Sequence, residues 1–159
     1  MKYVLLVVAA YMVSGCGGES LTPSVCGPTQ GVVTNVVDGD TVDILANGET
    51  YRVRYLNVDA PELNGSESPE CLAQEAKEAN EALVLGREVT LEYDQECKDR
   101  YDRLLGFVYR SERMVNLILV ERGFGRVLLI EPNLTFATEF EALEALAKEQ
   151  KAGVWGACE

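Results

Sequence analysis

The sequence predicts an α+β protein in which a five-stranded β-barrel carries three α-helices. Three observations support this. Segments rich in β-branched and aromatic residues follow one another early in the chain, an Asn-Gly pair joins two of them at hairpin spacing, and the later segments alternate between helical and strand character. The chain has 159 residues, enough for one domain, and its 47% apolar content with spaced aromatics indicates a packed core instead of a disordered chain.

The chain opens on an address label. Lys2 gives a positive start, Val4 to Val13 is an apolar run too short to span a bilayer, and Val13, Ser14, Gly15 and Cys16 follow. This ending resembles the lipobox of bacterial lipoproteins. It implies removal of residues 1–15, acylation of Cys16, export and lipid anchoring to the cell envelope, at the outer membrane in a Gram-negative cell. The alternative is an ordinary secretory signal with an incidental cysteine, hence a secreted protein. Residues 16–30, with their Gly, Ser, Thr and Pro, read as the lipidated cysteine and a flexible tether, and residues 31–159 as the folded domain.

Within the domain, Val32 to Val37, Thr41 to Leu45 and Tyr51 to Leu56 read as strands, with Asn47-Gly48 as the turn between the second and third. Cys71 to Leu85, rich in Ala, Glu and Leu and stopped at Gly86, reads as a helix. Arg87 to Tyr93 and Leu104 to Tyr109 return to strand character, and Val115 to Arg122 is a short helix ended by Gly123. Phe136, Phe140, Leu143 and Ala147 recur at helical spacing and predict a last helix packed by one face on the barrel. Three strands, a helix and two more strands is the order of an OB-fold barrel.

With Cys16 set aside, four cysteines remain at positions 26, 71, 97 and 158, an even number suited to an oxidising compartment. Three pairings are possible. The expected one joins Cys71 to Cys97 and Cys26 to Cys158, the latter tying the two ends of the domain. A cysteine metal site is disfavoured, since the chain has no histidine and no CxxC spacing. The net charge of −12 argues against tight nucleic-acid binding through a basic surface.

Chemistry concentrates in three runs. Asp38-Gly39-Asp40-Thr41 closes the first strand; Arg54, in the third, is followed by Val58-Asp59-Ala60-Pro61-Glu62; Asp99-Arg100-Tyr101-Asp102-Arg103 precedes the fifth. Carboxylates and other hard oxygens suit Ca²⁺ or Mg²⁺, and planar guanidinium forks suit phosphate, so the set fits metal-assisted phosphodiester cleavage. Asp38 is expected to serve only as a turn cap.

The order of elements, the three runs, the Asn116 to Gly123 segment and the terminal Trp155 together resemble the staphylococcal nuclease (thermonuclease) family, over about Gly31 to Trp155. The resemblance implies a Ca²⁺-dependent nuclease acting on DNA or RNA and leaving a 3′-phosphate and a free 5′-hydroxyl. It implies Asp40 and Asp59 as Ca²⁺ ligands, with the Ala60 carbonyl, and Thr41 acting through water. Glu62 would orient or deprotonate the attacking water, Arg54 and Arg103 would hold the phosphate, and Arg100 and Tyr101 would contact a neighbouring one. Arg126 and Glu144 match a pair that is structural.

Two departures stand out. Asp102 occupies the family's glycine position beside Arg103, and Leu129, Ile130 and Glu131 occupy the region where the family's prototype carries two tyrosines at its nucleotide site. A lost stacking ring costs ~1–3 kcal/mol per base. The alternative reading is therefore a catalytically weakened OB-fold module that binds nucleic acid, or an envelope lipoprotein that only binds Ca²⁺. No protein partner is expected.

Overall fold

The computed structural model describes residues 26–64 and 69–158. The leader, Cys16 and most of the expected tether lie outside them.

Eight strands and four helices follow in the order β1 (Gln30–Val36), β2 (Thr41–Ala46), β3 (Glu49–Tyr55), β4 (Asn57–Asp59), α1 (Ala73–Val84), β5 (Glu88–Glu92), β6 (Leu104–Arg110), β7 (Arg113–Met114), α2 (Val115–Glu121), β8 (Arg126–Leu128), α3 (Ala137–Glu149) and α4 (Val154–Ala157). The main sheet runs β3-β2-β1-β5-β6-β7, and a parallel pairing of β3 with β6 closes it into the expected five-stranded barrel. Closure removes the free edges that β3 and β6 would otherwise present. Asn47 and Gly48, at φ 53° and 84°, form the β2–β3 turn, which needs left-handed backbone at both central residues. The register then sets Thr41 opposite Arg54.

Strand residues make up most of the core: Val33, Val42, Ile44, Val53, Leu104, Phe107 and Val108 are at most 2% exposed. Helix α3 adds Phe140, which is fully buried, while Phe136 meets Phe107 edge-on at 4.8 Å between ring centroids. One buried side chain locks the barrel floor. Asn116, at the start of α2, accepts the Val108 N–H at 2.8 Å and donates to the carbonyls of Leu56 and Gly106 at 2.9 and 3.2 Å.

Three expectations need correction. The disulfides join Cys26 to Cys97 and Cys71 to Cys158, not Cys71 to Cys97 and Cys26 to Cys158. The cause is strand register: β1 runs antiparallel to β5 with Gln30 beside Thr90, so the chain before Gln30 travels alongside the chain after Thr90 and reaches Cys97. Cys71 meets the chain end instead, where its Sγ lies 3.8 Å from the Ala157 carbonyl. Residues 26–30, assigned to the tether, are attached to the domain: the Pro28 carbonyl accepts the Tyr93 hydroxyl at 2.6 Å and the Thr29 carbonyl accepts the Leu91 N–H at 2.8 Å. Arg126 and Glu144 are not partners. Glu144 accepts the Val127 N–H and the Lys148 ammonium, while Arg126 lies 5.0 Å over the Trp155 ring.

Replacing Asn116 with Leu leaves the Val108 N–H and the Leu56 carbonyl without their partner, and is expected to cost about 2–4 kcal/mol. Urea unfolding of the variant against the parent measures the loss.

Candidate active site

The first two motifs meet because Gly39 allows it. A Cβ at position 39 would stand 2.5 Å from the Ala60 Cβ and 3.0 Å from that of Ala76, so this glycine is what lets the Asp38–Thr41 turn, the segment after β4 and helix α1 touch. Asn80, fully buried on the inner face of α1, completes the junction: it accepts the Tyr55 hydroxyl at 3.0 Å and donates to the Asp38 carbonyl at 3.2 Å. Asp38 itself accepts the Asp40 N–H at 3.0 Å, the turn-capping role expected of it.

At the centre is Asp40, 2% exposed. One of its oxygens accepts the Ala60 N–H at 2.6 Å and lies 3.0 Å from Nη1 of Arg54; the other accepts the Thr41 hydroxyl at 3.0 Å. Burial pushes this carboxyl up to about 7, against the pull of Arg54, and nearby Asp38 adds to the rise. Nη2 of Arg54 is 3.0 Å from an oxygen of Asp59, whose side chain is half exposed, and Nη1 also donates to the carbonyls of Tyr55 and Val58. Arg54 thus binds both candidate metal-ligand carboxylates at once.

Asp59 is placed by a feature the sequence reading missed. Strands β4 and β8 form a separate two-stranded ladder with Asn57 opposite Leu128 and Asp59 opposite Arg126. Three residues each is too short for a periodic signal. Glu62 follows on irregular, exposed chain. Its carboxyl is raised above the ordinary range, first by partial loss of solvent and then by Asp38, with Arg54 opposing and Asp59 and Glu70 adding.

The third motif arrives through the parallel β3–β6 pairing, which sets Val53 beside Leu104 and so brings Arg103 to the same end of the barrel as Arg54. Both arginines line one cleft of about 450 Å³ with Arg100, Tyr101, Leu128 and Ile130. Asp99 organises the loop, accepting the N–H groups of Tyr101 and Arg103 at 2.9 and 3.0 Å and Nε of Arg103 at 2.6 Å. Among the described residues both terminal nitrogens of Arg103 are without a hydrogen-bond partner. Tyr101, 65% exposed, lies beneath the guanidinium groups of Arg100 and Arg103, 4.8 and 5.6 Å from its centroid.

Asp102 pairs through its carboxylate with Lys98 and not with Arg103. It adopts φ 63°, the left-handed conformation that explains a glycine at this point, and its exposed carboxylate is held by Lys98 at 2.6 Å. Two further clamps fix the cleft walls, and neither was read from the sequence. Asn133 bonds both backbone groups of Glu96 at 2.8 Å, and Asp94 accepts the Thr135 N–H and hydroxyl at 3.1 and 2.8 Å. Among the described residues no three His, Cys, Asp or Glu side chains cluster closely enough to hold a metal. The available donors are instead two carboxylates, a carbonyl and a hydroxyl, a hard-oxygen set that fits a cation taking water for its other positions. The buried Asp40 carboxylate, raised by desolvation, is the group such a cation would relieve.

The Asp99 carboxyl titrates below its ordinary 3.8, because desolvation is outweighed by its bonds from Arg103 and Tyr101. A depressed acid stabilises the fold fully above the unfolded value and loses that contribution as pH falls through the folded value. Asp99→Asn is therefore expected to be less stable than the parent at pH 7, with the gap closing below about pH 4. Thermal unfolding of both proteins across pH 3 to 7 checks this.

Residues 52–157 match the family described as "Staphylococcal nuclease homologue". The chain is 36% identical over 124 residues to "Endonuclease YncB" of Bacillus subtilis (strain 168), covering 75% of this chain and 58% of that protein. It is 31% identical over 124 residues to "Thermonuclease" of Staphylococcus hyicus, covering 77% of this chain and 73% of that one. An "Uncharacterized endonuclease" of Escherichia coli O157:H7 is 32% identical over 134 residues, covering 84% and 81%. The chain thus spans less than two thirds of the Bacillus protein and most of the other two. A barrel closed as described, with the three motifs gathered at one end of it, agrees with the match: the chain belongs to the staphylococcal nuclease family.

Proposed function

We propose that this protein is a Ca²⁺-dependent nuclease that hydrolyses phosphodiester bonds of DNA, RNA or both, leaving 3′-phosphate and 5′-hydroxyl ends. The observation that carries the reading is the double role of Arg54. It ties together Asp40 and Asp59, each at 3.0 Å, and it also lines the cleft shared with Arg103. A cation-ligand set and a phosphate grip are thereby joined through one side chain.

In this reading Asp40, Asp59 and the Ala60 carbonyl hold the ion, and Thr41 supports it through water. When bound there, the ion would supply positive charge to offset the negative charge of the phosphate. Arg103 offers its two uncommitted nitrogens to the phosphate, and Arg54 faces it from the carboxylate side. Arg100 and Tyr101 take the adjoining phosphate at the open end of the cleft. Glu62 would receive the proton of the attacking water, and partial loss of solvent is the first cause that raises its proton affinity. Leu128 and Ile130 give the cleft apolar walls, and Tyr101 is the exposed ring that lines it with them.

The relatives named endonuclease and thermonuclease support the activity. The leader and Cys16, outside the described residues, support export and a lipid anchor, which would place the site in a Ca²⁺-rich medium. An oxidising compartment agrees with the two disulfides.

Glu62→Gln is expected to keep the fold and Ca²⁺ binding while lowering cleavage of denatured DNA by ~10²–10⁴-fold, and a chelator is expected to stop the parent. A gel assay with and without chelator reads both. Ca²⁺ binding without cleavage in the parent would make the protein a nuclease-shaped binding module.

A further inference from the structure

Each disulfide ties one end of the described chain to the base of a loop that carries the site. Cys26, ahead of β1, is bonded to Cys97, two residues before the Asp99 that organises the arginine loop; Cys158, the last described residue, is bonded to Cys71, beside Glu70. The second link bears on Glu62. The Glu70 N–H donates to the Glu62 carbonyl at 2.9 Å, and the Glu62 N–H donates to the Glu70 carboxylate at 3.2 Å. Among the described residues these are the bonds that hold the Glu62 backbone. Both residues are exposed and neither belongs to a helix or strand, so water competes for both bonds and each alone is worth little. Glu70 has two firmer attachments through the residues that follow it: its carbonyl accepts the Ala73 N–H that opens α1, at 3.0 Å, and Cys71 carries the covalent link.

We propose that the Cys71–Cys158 disulfide is a positioning element for Glu62. By fixing Cys71 it fixes Glu70, and the Glu62–Glu70 pairing passes that constraint to the backbone that carries the Glu62 carboxylate. Both link partners lie outside the barrel core, whereas the other disulfide ends at Cys97, which is 4% exposed and packs within it. The Cys71–Cys158 link is therefore the one whose loss leaves the core and the Asp40–Arg54 cluster in place while freeing the segment that bears Glu62. The inference rests on the reading of Glu62 as the proton acceptor.

The test is the double variant Cys71→Ser/Cys158→Ser, assayed below its unfolding temperature. Hydrogen exchange at the Glu70 amide is expected to speed up at least ~10-fold. The kcat on single-stranded DNA is expected to fall ~10-fold or more, with KM and Ca²⁺ affinity within ~3-fold of the parent, because misplacement of one group acts on the chemical step. Should the double variant fail to fold, a small dithiol applied to the folded parent reaches the same state. It gives two electrons and two protons to the Cys71–Cys158 bond and leaves as its own cyclic disulfide. Alkylation of the two freed thiols identifies the bond cut, and reoxidation is expected to restore kcat. Unchanged Glu70 exchange and unchanged kcat, in the variant or in the reduced parent, would overturn the proposal. Faster Glu70 exchange in a protein whose parent cleaves no nucleic acid would uphold the positioning link and refute the nuclease reading instead.

Discussion

A carboxylate removed from water must be met by donors or by a cation, and in this molecule that requirement falls on Asp40. The Ala60 N–H, the Thr41 hydroxyl and Arg54 supply the donors, and they come from three different stretches of chain. Satisfying Asp40 therefore fixes the end of β4 against the start of β2 and the end of β3. Even so, desolvation outweighs the pull of Arg54 and the carboxyl is raised, which leaves the group short of positive charge. A site built on a carboxylate in that state is ready for a divalent cation in a way that a fully compensated ion pair is not.

The remainder of the architecture keeps this cluster in reach of the phosphate-holding side. Buried asparagines do much of that joining: Asn80 ties α1 to the Asp38 turn, Asn116 ties α2 to the floor of β6, and Asn133 ties the chain after β8 to the chain before Arg103. An asparagine offers both a donor and an acceptor, so one side chain can satisfy two backbone groups where two irregular segments meet. The arginines arrive separately. Arg54 comes on β3 and Arg103 on a loop hung from Asp99, and the parallel closure of β3 on β6 brings them to one cleft.

Much of this could be read from the chain. The five barrel strands lie within two residues of where β-branched and aromatic content and the Asn-Gly turn placed them. The last helix buries Phe140 and Ala147, as the spacing of its apolar residues indicated. The three motifs were legible as a set because each is a dense run of charged and turn-forming residues. What was not legible depended on partners distant in sequence. The disulfide pairing follows from the β1–β5 register, which no spacing of cysteines encodes. Strands β4 and β8 are too short for a pattern, and Arg126 found Trp155 in place of Glu144. Asn80 carried a signal that went unused, since it falls on the apolar face of α1 with Ala73, Ala76 and Val84, where an amide has to be bonded.

The acidity of the chain, −12 overall, bears on how such a site meets a polyanion. In the proposed reading attraction is local: two arginines at one end of the barrel, joined there by a cation when one binds, with the surrounding charge screened over ~8 Å at physiological ionic strength. The account turns on whether the buried Asp40 is a cation ligand. A calorimetric Ca²⁺ titration of the protein and of Asp40→Asn tests this most directly. The account predicts one ion per chain in the parent and a loss of ~100-fold or more in affinity in a variant that remains folded. Equal Ca²⁺ binding by the two proteins would contradict it, and would leave Asp40 as a structural partner of Arg54.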